Sequence, residues 1–328
     1  MWMQLIRFGI VGTNWITERF IAAGRQHEDF KVTAVYSRSE EKGQAFTKKH
    51  QLQLAFTDIN EMATHNEIDA VYIASPNALH AEQALLFMEN GKHVLCEKPF
   101  ASNSKDVLHM IKKAEEKGVV LMEAMKSTFM PNFLTVKENL HKIGPVRSYF
   151  SSSCRYSLFY DDLKNGSLPN LFNPALSGGA LMDLGVYTIA PLVALLGRPT
   201  TIQTTGTILE SGVDGQGHML LDYGEIKASV MFSCITNSYL PTEIIGEKGT
   251  IVVHHISSPK KAEIQYPDGT SEDISRQQEY DPMYYEIAEF IQLIQTNKQQ
   301  STINTWENSI ITMEILDQAR RQMGVPTN

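Results

Sequence analysis

Cysteine and surplus positive charge are both scarce in this chain of 328 residues. Its three cysteines, Cys96, Cys154 and Cys234, stand far apart, and no CxxC or HxxxH spacing occurs. We therefore expect neither a disulfide framework nor a structural metal site. The three cysteines are expected to be reduced core residues of a cytosolic protein. Lys and Arg number 29 against 37 Asp and Glu, for a net charge of -8. This balance excludes a surface built to neutralise nucleic-acid phosphates.

Long apolar runs are also missing from the sequence. The N-terminus, residues 1–5, has no basic region followed by an apolar run, so it is not typical of a signal peptide. No window approaches the roughly 20 apolar residues that a membrane span needs. We therefore expect a cytoplasmic protein with neither a membrane nor a nucleic acid as partner.

Short apolar runs alternate with segments of helical spacing over residues 1–125. This rhythm is typical of consecutive βαβ units and a parallel sheet. The pattern predicts strands at 5–11, 31–37, 70–74, 94–96 and 119–123. It predicts helices at 15–25, 40–50, 77–90 and 104–117, and a short one from 58.

Residues 126–328 follow a different pattern, in which most apolar runs alternate with period two. Hairpin-like turns at 223–225 and 246–249 indicate antiparallel neighbours. Strands are predicted at 146–154, 203–209, 218–223, 226–234, 243–246 and 250–254, and helices at 179–196, 281–297 and 305–323. We therefore predict an α/β protein whose second domain, 126–328, is an α+β unit with an open, mainly antiparallel sheet.

The junction between the first predicted strand and helix carries part of a dinucleotide fingerprint, G-x-G-x-x-G/A. Gly12 fills the first glycine position, and Asn14 and Thr17 stand where the other two are usual. Asn tolerates the left-handed conformation, so the anion-binding turn can persist with a side chain added. A plain strand–turn–helix is the alternative. The first interpretation makes residues 1–125 a Rossmann domain, with this part of the cofactor site formed by Gly12, Thr13, Asn14, Trp15 and Ile16.

The second predicted strand ends in Ser37-Arg38, where NAD-selective sites usually carry a carboxylate for the ribose hydroxyl. A hydroxyl and a guanidinium suit a 2′-phosphate instead. We therefore predict NADP as cofactor, with NAD as the alternative. The alternative for Arg38 is that it is a solvated loop arginine without a part in cofactor binding.

Glu97-Lys98-Pro99 follows a predicted strand at the sheet edge where ligands bind in open α/β folds. A lysine there can exchange a proton if burial or a neighbouring cation lowers its pKa. The alternative is an exposed Lys–Glu pair ahead of a helix.

Taken in order, these segments resemble the oxidoreductase family named for glucose–fructose oxidoreductase, inositol 2-dehydrogenase and a rhizopine-catabolism protein. The resemblance covers essentially the whole chain. It is carried by the segments 9–13, Ser75-Pro76-Asn77 with His80, 91–99, Glu123-Ala124 and 178–187. The family implies that Ser75, Pro76, Asn77, Glu97 and Lys98 surround the nicotinamide and its ribose. His80 is counted with them, and a helix residue without such a role is its alternative.

The resemblance also implies that Asp183 and Tyr187 reach the reacting centre from the second domain. Their spacing of four places them on one helical face. Tyr187 can protonate the alkoxide that hydride transfer leaves, helped by the positive charge of Lys98. Asp183 can orient the substrate hydroxyl or tune the lysine.

Tyrosine at 187 resembles the subgroup that contains dimeric dihydrodiol dehydrogenase. That subgroup has an aromatic residue at 126 and an arginine at 128, where this chain has Lys126 and Thr128. The pocket is thus more polar, which favours a sugar, polyol or related diol over an aromatic dihydrodiol. Lys126, Asp183 and Tyr187 are the predicted substrate residues.

Two rival functions keep the same fold. A glycosidase that uses transient oxidation would usually need a metal, and the sequence contains no ligand cluster. A non-catalytic ligand sensor need not retain Lys98, Asp183 and Tyr187 together. We also expect a homodimer that packs the open faces of two C-terminal sheets together, because relatives commonly do so and one strand presents Lys227, Ser229 and Met231 on that face.

Overall fold

The computed structural model describes residues 5–326, so the prediction for the N-terminal residues 1–4 lies outside the described part. The chain divides into two compact units. Unit 1 contains the residues up to Ala124 together with Tyr280–Trp306, and unit 2 contains Met125–Glu279 and the residues from Glu307 onward.

Unit 1 is built on a parallel sheet, as the βαβ rhythm predicts. Within the described residues its strands are β1 (Ile6–Val11), β2 (Phe30–Tyr36), β3 (Leu54–Phe56), β4 (Ala70–Ile73), β5 (His93–Glu97) and β6 (Leu121–Ala124). They lie in the order β3-β2-β1-β4-β5-β6, so β1 pairs with both β2 and β4. This order reverses the chain's direction across the sheet between β1 and β4, which is where open α/β sheets bind ligands.

Helices flank this sheet. They are α1 (Trp15–Gly24), α2 (Glu40–His50), α3 (Ile59–Thr64), α4 (His80–Glu89) and α5 (Ser104–Lys117). The helix predicted to begin at Asn77 starts later, because Asn77 lies inside a 3₁₀ turn, Asn77–Leu79, that follows Pro76. The helix proper begins at His80.

The segment 280–306 departs from the sequence-based division at 125/126, because the structure groups it with unit 1. Its helix, α10 (Tyr284–Gln295), packs against α1, and Phe290 contacts the ring of Phe8 in β1. Beyond α10, the Leu121 amide donates to the Gln299 carbonyl at 3.1 Å. The Trp306 indole donates to the Leu121 carbonyl at 2.9 Å. The returning chain therefore satisfies edge-strand groups of β6 that would otherwise be unpaired.

Unit 2 contains an open sheet with a single parallel pair among its described strands. The strands are β7 (Val146–Cys154), β8 (Thr201–Ile208), β9 (Asp214–Asp222), β10 (Lys227–Ser233), β11 (Thr242–Gly246), β12 (Thr250–His254), β13 (Lys261–Gln265) and β14 (Ser271–Asp273). Their order is β14-β13-β12-β11-β7-β10-β9-β8, with β7 parallel to β10 and the other neighbours antiparallel. The mainly antiparallel sheet is confirmed, and the sequence pattern missed β13 and β14.

The helices of unit 2 are α6 (Lys126–Phe129), α7 (Pro131–Asn139), α8 (Leu158–Lys164), α9 (Val186–Leu196) and α11 (Trp306–Met323), whose first residue belongs to unit 1. The predicted helix over 179–196 is divided, because a π-helical turn, Leu181–Gly185, precedes α9.

The segment Pro174–Leu196 is long and apolar enough to cross a membrane by length and composition. The expectation that no such window exists was therefore wrong. Because 72% of its most apolar stretch is buried within the fold, the segment has the character of a core helix.

Candidate active site

Gly12 directly follows β1 and has a backbone conformation that other residues rarely adopt. Its φ is +110°, and a Cβ placed there would lie 2.9 Å from the Ala74 carbonyl oxygen. The end of β1 therefore approaches the end of β4 too closely for any side chain. This observation supports the glycine assignment in the fingerprint.

Asn14 does not substitute for the second glycine in the way that the sequence analysis expected. Its φ is -93°, outside the left-handed region, and it is the N-terminal cap of α1. The Asn14 Oδ1 atom accepts from the amides of Ile16 and Thr17 at 3.0 and 3.2 Å, and its Nδ2 donates to Ala74 at 2.8 Å. The cap leaves the amide of exposed Trp15 without a partner inside the helix. Thr13 lies on the turn between β1 and α1.

Ser37 and Arg38 follow β2 at the same edge of the sheet. Ser37 is buried, and its hydroxyl accepts from the Ser39 amide at 3.3 Å, so the loop entering α2 is fixed. Arg38 is exposed, and among the described residues its guanidinium has no ion pair or hydrogen bond. A fixed loop thus presents a cation at the position predicted for a 2′-phosphate.

Ser75, Pro76 and Asn77 follow β4 and are half-buried at this edge. His80 lies behind them and is only 1% exposed. Its two ring nitrogens lie 2.9 Å from the carbonyl oxygens of Ser75 and Pro99. Burial lowers the pKa of His80, and a neutral imidazole can donate to one of these carbonyls. His80 therefore joins the loops that follow β4 and β5, and its direct part in cofactor binding stays a prediction.

Glu97 is a buried carboxylate at the end of β5, beside Lys98. The Tyr72 hydroxyl donates to Glu97 Oε1 at 2.5 Å, and the Lys98 amide contacts Glu97 Oε2 at 3.2 Å. Tyr72 is itself fixed by stacking on Phe20 at 3.7 Å between ring centroids. Lys98 is half-buried and joined to Pro99 by a cis peptide bond.

Two residues, Tyr72 and Glu123, have supporting roles that were not predicted from the sequence. Tyr72 lies inside a buried strand, where its hydroxyl needs a partner, and that need was the available signal. Glu123 is the next-to-last residue of β6, and its carboxylate accepts from the amide of Phe100, the residue after Pro99, at 3.1 Å. A carboxylate closing an apolar strand was the corresponding signal for Glu123.

Within unit 2, Lys126 and Tyr187 form a direct pair. The Lys126 ammonium donates to the Tyr187 hydroxyl at 2.9 Å and lies 4.5 Å from the centroid of its ring. Lys126 opens α6 and Tyr187 is the second residue of α9. Both side chains are half-buried. Both residues were predicted from the sequence as site residues, but their bond was not.

Asp183 lies on the π-helical turn one step before α9. This turn begins against a buried carboxylate, because Asp214 Oδ2 accepts from the Leu181 amide at 2.6 Å. Gly179, at φ +120°, makes room for it, since a Cβ there would lie 2.3 Å from Asp214 Oδ1. The glycine pair of the sequence motif thus packs the turn that carries Asp183. Because Asp183 lies in the π-helical turn and Tyr187 in α9, their place on one helical face stays a prediction.

In the part of the chain that the structure describes, no three His, Cys, Asp or Glu side chains are grouped to hold a metal.

Two family models match the chain. The model described as "Oxidoreductase family, NAD-binding Rossmann fold" matches residues 6–125, and the "GFO/IDH/MocA C-terminal domain" matches residues 133–252. The chain belongs to the GFO/IDH/MocA oxidoreductase family. The resemblance found in the sequence is therefore confirmed.

Relatives of this GFO/IDH/MocA chain extend over its whole length. The chain is 53% identical to scyllo-inositol 2-dehydrogenase (NADP(+)) IolU of Bacillus subtilis over 321 residues, 98% of each chain. It is 31% identical to trans-1,2-dihydrobenzene-1,2-diol dehydrogenase of Danio rerio, over 98% of this chain and 97% of the relative. The expected activity is thereby confirmed in its general form: the protein is a nicotinamide-dependent oxidoreductase that acts on a CH–OH group or carbonyl of a sugar, polyol or related diol.

Solved structures share the fold of this GFO/IDH/MocA member. KijD10, a 3-ketoreductase from Actinomadura kijaniata in complex with NADP and TDP-benzene, superposes with a TM-score of 0.85 at 23% identity, over 97% of this chain and 98% of that chain. The aldose-aldose oxidoreductase from Caulobacter crescentus superposes with a TM-score of 0.86 at 20% identity, over 97% of each chain. The predicted pairing of a Rossmann domain with an α+β domain is confirmed.

Proposed function

We propose that this protein is an NADP(H)-dependent dehydrogenase of a cyclic polyol of the scyllo-inositol class. The observation that carries the proposal is 53% identity, over 98% of both chains, to an NADP(+)-dependent scyllo-inositol 2-dehydrogenase. The chemistry of the described residues supports it at the cofactor edge, at the proton donor and at Lys126.

The cofactor would be held at the carboxyl edge of the parallel sheet. Arg38 fits the 2′-phosphate, because it is an exposed guanidinium on a loop that Ser37 fixes. The Gly12 turn and the N-terminus of α1 fit the pyrophosphate, since the Trp15 amide is left unpaired by the helix. The nicotinamide end of the cofactor would be bound by Ser75, Pro76, Asn77, Glu97 and Lys98.

When bound, NADP(H) supplies or accepts the hydride. Tyr187 donates the proton to the carbonyl oxygen in the reducing direction and takes it back in the oxidising direction. Asp183 accepts a hydrogen bond from a substrate hydroxyl and so orients the ring. Lys98 supplies positive charge, and burial of Glu97 under Tyr72 keeps the Glu97-Lys98 segment in place.

A polar substrate is favoured over an aromatic dihydrodiol by Lys126. Its ammonium donates to the Tyr187 hydroxyl, four residues along the chain from Asp183. Adjacent hydroxyls of a polyol offer donors and acceptors for such a set, whereas an apolar ring would desolvate the ammonium without compensation.

Initial rates of NADP⁺ and NAD⁺ reduction with a polyol panel test the proposal. We expect scyllo-inositol with NADP⁺ to give the highest kcat/KM, ahead of myo-inositol, xylose, glucose and a trans-dihydrodiol. Tyr187→Phe is the matched inactive control. Turnover of the dihydrodiol above scyllo-inositol, or a preference for NAD⁺, would reject the substrate or the cofactor assignment respectively.

We also propose that the enzyme is a cytoplasmic homodimer that associates through the open face of the unit 2 sheet. The register places Leu220, Ser229, Phe150, Glu243 and Val252 in one row across that face. Leu220 is 58% exposed, and the row mixes apolar with polar side chains, as association surfaces of dimers do.

A further inference from the structure

Lys126 contacts the phenol of Tyr187 in two ways. Its Nζ atom lies 2.9 Å from the hydroxyl oxygen and 4.5 Å from the ring centroid. An ammonium carries donors only, so the phenol oxygen accepts in this bond. The hydrogen of the Tyr187 hydroxyl must therefore point away from Lys126.

The backbone under Lys126 is anchored on both sides. Met125 and Phe129 are buried, with 0% and 3% exposure. The Thr128 amide and hydroxyl both bond to the Met125 carbonyl, at 3.1 and 2.9 Å. Because the backbone of this turn is anchored and the side chain is half-buried, the Lys126 ammonium is restricted to a small region near Tyr187.

We propose that Lys126 is a positioning residue: it orients the hydroxyl of the proton donor Tyr187 and stabilises the oxygen after that proton has left. This inference rests on the proposed function. In reduction, the O–H bond of Tyr187 breaks as the alcohol O–H bond forms, and the carbonyl carbon receives the hydride that the cofactor supplies. The electron pair of the broken bond stays on the Tyr187 oxygen, facing the Lys126 ammonium. Water returns the proton after product release. The charge of Lys126 thus stabilises the state in which Tyr187 has given its proton.

The pairing assigns to Lys126 part of the role that the sequence analysis gave to Lys98 alone. Lys98 keeps its place at the end of β5. In unit 2 the cation bonded to the Tyr187 oxygen is Lys126.

Lys126→Met tests the proposal through steady-state kinetics in ordinary and heavy water. We expect kcat to fall by a factor on the order of 10 to 100, because the proton donor is less well supported. The solvent deuterium isotope effect on kcat should rise as proton transfer becomes limiting. The NADPH dissociation constant should stay within about twofold of wild type. Lys126→Arg should recover most of the loss.

Two further variants separate a role through Tyr187 from a merely structural one. In a Tyr187→Phe background, Lys126→Met should have little further effect, since coupled residues are non-additive. Lys137→Met removes the same charge from an exposed position of α7 in unit 2 and should leave every constant unchanged. In the cofactor-free protein, the ¹³Cζ signal of Tyr187 at neutral pH should move in Lys126→Met and stay in Lys126→Arg.

Each outcome decides one claim. If the wild type is active and Lys126→Met has the same rate, isotope effect and ¹³C signal, the role of Lys126 is overturned and the proposed function stands. A wild type without NADP-linked turnover rejects the proposed function, and the ¹³C comparison then still decides whether Lys126 holds the Tyr187 hydroxyl. If Lys126→Met does not fold, Lys126→Gln serves in all three measurements.

Discussion

Arg38 is the residue on which the cofactor preference depends. Replacing it by Ala removes the exposed guanidinium beside Ser37 and should weaken NADPH binding at least tenfold, while NADH binding changes little, because only NADPH carries the 2′-phosphate. Fluorescence titration with both cofactors measures the difference. Lys48→Ala, which removes an exposed charge from α2, is the control. Equal weakening for NADPH and NADH would make Arg38 an ordinary loop residue.

Lys98 carries the corresponding prediction for catalysis. Lys98→Met should lower kcat by a factor on the order of 10² or more, since positioned charged groups contribute about that much. The fold should persist, because the Glu97 carboxylate stays bonded to Tyr72. Circular dichroism and steady-state rates check both parts. The exposed Lys105 of α5 offers a matched charge-loss control. Near-normal turnover of Lys98→Met would remove Lys98 from the site.

The buried carboxyl of Asp214 should give the protein an unusual pH dependence of stability. Burial raises the pKa of its carboxyl to about 6 from an ordinary value near 3.8. Between these values the unfolded chain binds fewer protons than the folded one, so stability falls as pH rises from about 4 to 6 and then levels off. The shift corresponds to on the order of 3 kcal/mol.

Asp214→Asn should abolish this contribution, because the amide oxygen can still accept from Leu181 and does not titrate. Urea unfolding at a series of pH values gives the comparison, with the exposed Asp162→Asn as control. If the wild type and Asp214→Asn keep a constant difference across this pH range, Asp214 does not titrate there.

The turn that carries Asp183 should be sensitive to Gly179. Gly179→Ala would combine positive-φ strain with a Cβ lying 2.3 Å from Asp214 Oδ1. Gly212→Ala at φ +90° has open space around its Cβ, so it carries the strain alone, about 1 kcal/mol. We therefore expect Gly179→Ala to lower the free energy of unfolding by clearly more than Gly212→Ala. Equal losses in chemical denaturation would mean that the Asp214 contact does not constrain this turn.

Much of the fold was predictable because local patterns and global fold agree. The parallel strands are buried on both faces, and the turns at 223–225 and 246–249 join antiparallel pairs as expected. The parallel pairing of β7 with β10 could not be predicted, because these strands are separated by helices and two other strands. The return of 280–306 to unit 1 depends on bonds to Leu121 that no periodicity reveals.

The candidate site shows the same division. The family resemblance together with their spacing predicts Asp183 and Tyr187, and the positions of Lys98 and Arg38 after predicted strands predict those two residues. The bond from Lys126 to Tyr187 joins residues 61 positions apart, so spacing carries no signal for it. Asn14 looked like a distorted glycine position because fingerprint matching ignores capping, which is what Asn does best at the start of a helix.

Assembly yields a prediction for the intact protein. If two open sheet faces pack together, Leu220→Glu should place like charges opposite each other or near each other in the dimer and convert it to a monomer. Light scattering at micromolar concentration measures the mass. Leu158→Glu changes an equally apolar residue, 79% exposed on α8, and should remain dimeric. A wild-type monomer would mean that the face is simply solvated.

Isotope transfer tests whether this protein moves a hydride from a polyol carbon to NADP⁺. The protein is incubated with scyllo-inositol deuterated at its ring carbons and with NADP⁺, and the reduced cofactor is examined by mass spectrometry. We predict NADPH that carries one deuterium, formed by the wild type and essentially not by Tyr187→Phe. Reduced cofactor without deuterium, or no reduced cofactor from the wild type, would contradict the account.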